Sequence, residues 1–318
     1  MTAKRIVAEN RSLTAVRGVT VGHVHDAAAA TGCTVVLGPF VAAVEVSGLA
    51  TGWRELDALS PLHLVPRCDA ILLTGGSAFG LAAADGVVRW LEERGRGFPT
   101  RAAVVPIVPA AVLYDLGVGD PRVRPDAEMG HAAAAVASAE PVPEGAVGAG
   151  AGASVGKLLS DGLELAGVGC WSDTAGGHVV AALAVANAFG DVLDERGRII
   201  AGSRGPDGAF LDTAAAIREG RAPDWFESRR VGENTTLVVV ATDAPLGKMD
   251  LQVVARQAMN AVVRRISPAN TSFDGDILFA ASTTGEAGGR RASPVDVLSI
   301  GLRAQMVAER AIERTVRR

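Results

Sequence analysis

Lysine is nearly missing from this chain. Of its 31 basic residues only Lys4, Lys157 and Lys248 are lysines, so a lysine among apolar neighbours invites a functional question. Cysteine is scarce too: Cys33, Cys68 and Cys170 form no CxxC pair, and their odd number and wide spacing exclude a disulfide framework or a structural zinc site. They read as small core residues. No apolar run approaches the roughly 20 residues of a membrane span, and Met1 to Ser12 lacks the basic, apolar and small-residue succession of a signal peptide. A cytoplasmic protein is expected. A net charge of −4 without a basic cluster leaves no footprint for nucleic acid, and the basic end, Arg310 to Arg318, reads as a solvated helix terminus. None of the five histidines stands at ligand spacing with a suitable donor, and His23 and His25 fall in an expected loop, so no metal and no organic cofactor is expected. What the chain does have is length and apolar content: 318 residues, 48 % hydrophobic, suffice for a sizeable core in one large domain or two ordinary ones.

The pattern along the chain is one of short apolar strands and several helices, without repeats. Thr34 to Leu37 and Val41 to Ser47 read as a hairpin punctuated by Gly38-Pro39. Asp69 to Thr74 is a buried strand, and Gly75-Gly76-Ser77 leads into a helix from Ala78 to about Glu93, with Leu81, Ala84, Val88 and Leu91 at helical spacing. The glycine pair offers a tight turn or backbone N–H groups for an oxyanion. Val104 to Val108 and Leu163 to Cys170 read as strands, and His178 to Phe189 is a nearly unbroken apolar run with Asn187 near its end. Gly202 to Arg230, rich in glycine, proline and charge, has the composition of an exposed segment or linker leading to Asn234-Thr235. Beyond it come a strand from Leu237, a helix carrying Leu251, Val254, Ala255, Ala258 and Val262, a strand from Ile277 to Ser282, and a helix announced by the cap Ser293, Pro294 and Asp296. Helices outside two stacked sheets accommodate this supply of elements.

Three places carry chemistry. Glu233-Asn234-Thr235-Thr236 opens an apolar strand, where β-branched residues are at home. It is equally a place where a chain could cut itself and expose an N-terminal threonine. Such a threonine carries its own base, an α-amine with an ordinary pKa of about 7.7 to 8.0, beside an otherwise poor nucleophile. Asp274-Gly275-Asp276 sets two acids two residues apart before a buried strand. In extended chain both face one way, and their repulsion raises one pKa; the plainer reading is a polar turn capping the strand. Lys157 follows a glycine-rich stretch resembling a phosphate-binding loop, but only three residues separate Gly152 from Gly156 and Leu158 follows the lysine, which excludes that loop.

Thr235, Asp274 and Asp276, with Lys157, Asn187 and the single tyrosine Tyr114, resemble in order and spacing the site of the nylon-oligomer hydrolases. These endo-type 6-aminohexanoate-oligomer hydrolases fall within the self-cleaving N-terminal-nucleophile L-aminopeptidase/D-esterase and β-aminopeptidase family. The resemblance runs from Gly18-Val19-Thr20-Val21-Gly22 through Leu73 to Leu81 to the aspartate pair. Typical aminopeptidases of the family have a serine nucleophile and a Ser-x-Glu pair, so Thr235 and Asp274-Gly275-Asp276 favour the nylon-hydrolase branch. The resemblance implies an α+β fold, a four-layer αββα sandwich, cut between Asn234 and Thr235 into an α chain, 1–234, and a β chain, 235–318. It implies Thr235 as nucleophile and base, Asp274 and Asp276 tuning its amine, Asn187 donating to the oxyanion, Lys157 stabilising negative charge or positioning Thr235, and Tyr114 contacting substrate. It further implies an oligoamide or peptide substrate and a homotetramer of α/β units. The alternative activity is a β- or D-aminopeptidase on short peptides.

Overall fold

The computed structural model of the chain describes residues 10–159, 163–221, 234–286 and 292–317. In chain order the elements that build the site are β1 (Thr20–Asp26), β2 (Thr31–Val46), β3 (Trp53–Arg54), β4 (Cys68–Thr74), α1 (Ala83–Glu92), β5 (Ala110–Val112) and α2 (Ala127–Ala135). They continue with β6 (Val168–Ala175), β7 (His178–Asn187), β8 (Thr235–Thr242), α3 (Lys248–Arg265), β9 (Ile277–Ser282) and α4 (Pro294–Arg314).

Strand β2, 16 residues long, joins two sheets. Its first half lies between β1 and β4, with Thr34 opposite both His23 and Leu73, and its second half pairs with β9, Val46 opposite Ile277. Gly38-Pro39, expected to turn a hairpin, instead bends one strand. The register against β4 shifts between Leu37 and Phe40, and the exposed Pro39, which has no N–H to offer a ladder, sits in that irregularity. The halves do not pair with each other because each has another neighbour.

Side-chain alternation sorts the layers. Cys33, Val35 and Leu37 of β2 and Ala70 and Leu72 of β4 pack with Val87, Trp90 and Leu91 of α1 and Ala133 and Ala134 of α2. Their neighbours Val36, Ile71 and Leu73 turn the other way, into a larger core shared with β7, β8, β9, α3 and α4. The result is the four-layer α+β sandwich, αββα. Every residue of β8 is buried, as suits a central strand, and each of its fully buried valines contributes about 1.5–3 kcal/mol. Helix α4 begins where the sequence signals it: the Ser293 hydroxyl accepts the Asp296 N–H at 3.2 Å, with Pro294 in the first turn.

Of the segment Gly202 to Arg230, a short helix, Thr213–Arg218, is seen; residues 222–230 lie outside the described residues, as does Glu233. Topology then sets the site. β8 and β9 run parallel, Leu237 opposite Ile277, whereas β7 is antiparallel to β8, with Asn187 opposite Thr235. The starts of β8 and β9 and the end of β7 therefore meet at one edge.

Candidate active site

At that edge Thr235 is 4 % exposed, and its hydroxyl donates to the carbonyl of Asn234 at 2.6 Å. The same carbonyl oxygen accepts the Gly275 N–H at 2.8 Å. A Cβ on Gly275 would stand 2.8 Å from the Thr235 Oγ1 and 2.7 Å from the Ala50 carbonyl oxygen, so only glycine lets the backbone come this close. In the sequence Gly275 carries no signal beyond its place between two acids.

The carboxyls occupy different environments. Asp274 Oδ2 accepts the Thr271 N–H at 2.9 Å and the Thr271 hydroxyl at 2.6 Å. Burial pushes its pKa up, against Thr271 and the nearby charge of Lys157. Asp276 Oδ1 accepts the Thr236 N–H at 2.6 Å, and its pKa is pushed up to about 7, by burial first and by Asp274 second. The pair thus holds a proton near neutral pH, although burial outweighs the like-charge repulsion that the spacing alone suggests.

Lys157 arrives from a turn whose Gly156 has φ +65°, with the Lys157 N–H on the Phe189 carbonyl at 3.2 Å. Its ammonium donates to Asn187 Oδ1 at 2.8 Å and to the Asn187 carbonyl at 3.2 Å. Asn187, fully buried, accepts the Ser154 N–H at 3.2 Å on Oδ1 and donates from Nδ2 to the Tyr114 carbonyl at 2.8 Å. Tyr114 is therefore tied to Asn187 through its main-chain carbonyl. All the residues singled out in the sequence, Asn234, Thr235, Asp274, Asp276, Asn187, Lys157 and Tyr114, are linked at this edge by direct bonds or by the electrostatic reach of Lys157 on Asp274. Phe189 and Phe273, with ring centroids 5.8 Å apart, flank it. Among the described residues no group of three or more His, Cys, Asp and Glu side chains is arranged to hold a metal, and no helix is long and apolar enough to cross a membrane.

Such an arrangement suits acyl transfer: a hydroxyl, a carbonyl held by a backbone donor, two buried carboxyls whose pKa values are raised, and an amide backed by an ammonium. The sequence profile of Peptidase family S58 matches residues 11–317. The chain belongs to peptidase family S58. As a member of S58 it is a hydrolase of amide bonds. An uncharacterized aminopeptidase of Mycobacterium leprae is 42 % identical over 302 residues, covering 87 % of this chain and 80 % of the relative. A 6-aminohexanoate-oligomer endohydrolase of Kocuria sp. strain KY2 is 33 % identical over 276 residues, covering 84 % and 73 %. Among solved structures, the L-aminopeptidase D-Ala-esterase/amidase of Ochrobactrum anthropi, described as a variant of the Ntn-hydrolase fold, superposes with a TM-score of 0.72 at 20 % identity, covering 98 % of this chain and 87 % of its own. That likeness bears on the fold alone. The resemblance drawn from the site residues thus holds at the level of the S58 family, while the mycobacterial relative is nearer in sequence than the Kocuria oligomer hydrolase.

Proposed function

We propose that this S58 chain cuts itself between Asn234 and Thr235 and acts afterwards as an N-terminal-threonine amidohydrolase. The observation that carries the reading is the Asn234 carbonyl, which receives the Thr235 hydroxyl at 2.6 Å and the Gly275 N–H at 2.8 Å. In the uncut chain the Thr235 oxygen attacks the Asn234 carbonyl carbon, and the Gly275 N–H stabilises the negative oxygen that forms. The C–N bond breaks as the acyl group moves to oxygen, the Thr235 nitrogen takes up a proton, and water hydrolyses the ester to free an Asn234 carboxylate and the Thr235 hydroxyl.

In the cut enzyme the Thr235 amine removes the hydroxyl proton as oxygen attacks a substrate amide, then passes that proton to the leaving amine. Water deacylates the ester in the same way. Asp274 and Asp276 orient and tune the amine. Asn187 donates to the oxyanion, a contribution of about 3 kcal/mol in sites of this kind, and Lys157 holds its carboxamide oxygen. Tyr114 lines the approach of the substrate. A homotetramer of cut chains belongs to the same reading and rests on the resemblance.

The substrates are linear ω-amino-acid oligoamides of the 6-aminohexanoate type or related polyamides, a choice that follows Thr235 and the Asp274-Gly275-Asp276 triplet. A second reading, an aminopeptidase on short β- or D-peptides, is favoured by the 42 % identity to the mycobacterial aminopeptidase. Matched oligoamides with free and acetylated amino termini separate the two. The first reading expects both to be cut at internal bonds at comparable rates; loss of all cleavage on acetylation contradicts it and establishes the second.

A further inference from the structure

A buried carboxyl that the reaction above does not use follows directly on Tyr114, whose carbonyl receives Asn187. Asp115, next in sequence to Tyr114, is 2 % exposed, and its Oδ1 accepts the Gly76 N–H at 2.7 Å. Its Oδ2 lies under Gly75, where an added Cβ would stand 2.0 Å from it and 2.6 Å from the Thr31 hydroxyl oxygen. The chain around Asp115 is fastened to the same turn: Leu113 N–H to the Thr74 carbonyl and Ser77 N–H to the Leu113 carbonyl, each at 2.9 Å. Gly76 and Ser77 both adopt left-handed backbone, φ 77° and 54°, a conformation a serine keeps only where its surroundings over-determine it. Burial pushes the Asp115 pKa up; the Gly76 N–H, the Thr31 hydroxyl and the charge of Lys157 oppose it.

One peptide unit joins this anchor to the site. The carbonyl that receives Asn187 Nδ2 at 2.8 Å belongs to the peptide between Tyr114 and Asp115. Movement at Asp115 therefore rotates or displaces the acceptor that orients the Asn187 carboxamide, whose other end meets Lys157 at 2.8 Å.

We propose that Asp115 is a positioning residue: anchored to the Gly75-Gly76 turn, it holds the Tyr114 carbonyl where it aims Asn187 at the carbonyl under attack. The proposal rests on the oxyanion reading of Asn187. What Asp115 supplies is shape and a hydrogen-bond acceptor, which asparagine also has.

The test is a double-mutant cycle on the purified full chain, with the linear oligoamide of free amino terminus as probe and rates normalised to the amount of cut chain. Asp115→Ala is expected to lower kcat about 10- to 100-fold with KM within about twofold, as displacements of about 1 Å at a distance do. Asp115→Asn is expected to restore kcat to within about threefold, and Asp115→Ala is expected to add no further loss in the Asn187→Ala background. Equal losses in both backgrounds, or an unchanged kcat in folded Asp115→Ala, overturn the proposal. Should Asp115→Ala not fold, Asp115→Ser takes its place in the same cycle. Wild-type turnover in Asn187→Ala alone overturns the oxyanion reading itself, and that single variant tells the two failures apart.

Discussion

Two clusters of buried charge lie at different places in this molecule. Between α3 and α4, Arg265 donates to Glu313 at 2.9 Å and to Glu309 at 2.5 Å; Arg264 reaches Glu309 at 2.8 Å, and Arg310 and Arg317 reach Glu313 at 3.3 and 3.0 Å. Both glutamates are matched or over-matched by arginine. Near the strand edge burial raises the pKa of three carboxyls, Asp115, Asp274 and Asp276, and among the described residues the one cation acting on them is Lys157, which opposes the shift at Asp115 and Asp274. Charge between the helices is neutralised by pairing; at the edge the described residues offer fewer cations than carboxyls. Pairing holds helices together, whereas the shortfall keeps a proton available and leaves room for the further cation that a cut at Thr235 would create.

Breaking one member of each cluster sharpens the contrast. Arg265→Ala is expected to destabilise the fold by about 3 kcal/mol, since it strips two buried glutamates of their shared partner, while activity per folded molecule is kept. Chemical denaturation followed by an assay of the refolded protein checks both halves; a loss of activity without a loss of stability contradicts the division.

Asp276→Asn is expected to act more gently on stability and through pH. Folding raises this carboxyl from about 4 to about 7, so the folded chain binds the extra proton and the stability it confers is present below about pH 4 and lost as pH rises through about 7. Melting temperatures between about pH 5 and 8, both proteins in the Thr235→Ala background so that neither is cut, are expected to fall with pH in the parent and to stay flatter in the Asp276→Asn variant. Parallel curves contradict the shift.

Much of this site is legible in the sequence because its residues sit where polarity interrupts apolar runs: Asn234-Thr235 before β8, the aspartate pair before β9, Asn187 at the end of β7. The helix start at Ser293-Pro294 is legible because capping is local. The continuity of β2 is not, because whether Gly38-Pro39 closes a hairpin depends on partners that come 30 and more than 200 residues later, in β4 and β9. Gly275 and Asp115 are equally hidden, since their roles arise from backbones that meet only in the folded chain, at the Asn234 carbonyl and at the Gly75-Gly76 turn. Likewise the pKa of Asp276 follows burial more than the spacing of two acids.

On the proposal made above, the Asn234–Thr235 bond is cut by Thr235 itself. Intact masses of the purified protein and of Thr235→Ala, taken under denaturing conditions, test it directly. Two chains are expected in the parent, their masses summing to the full chain plus one water and the smaller beginning at Thr235, against a single uncut chain without amidase activity in the variant. A single full-length mass in an active parent, or a cut and active Thr235→Ala, contradicts it.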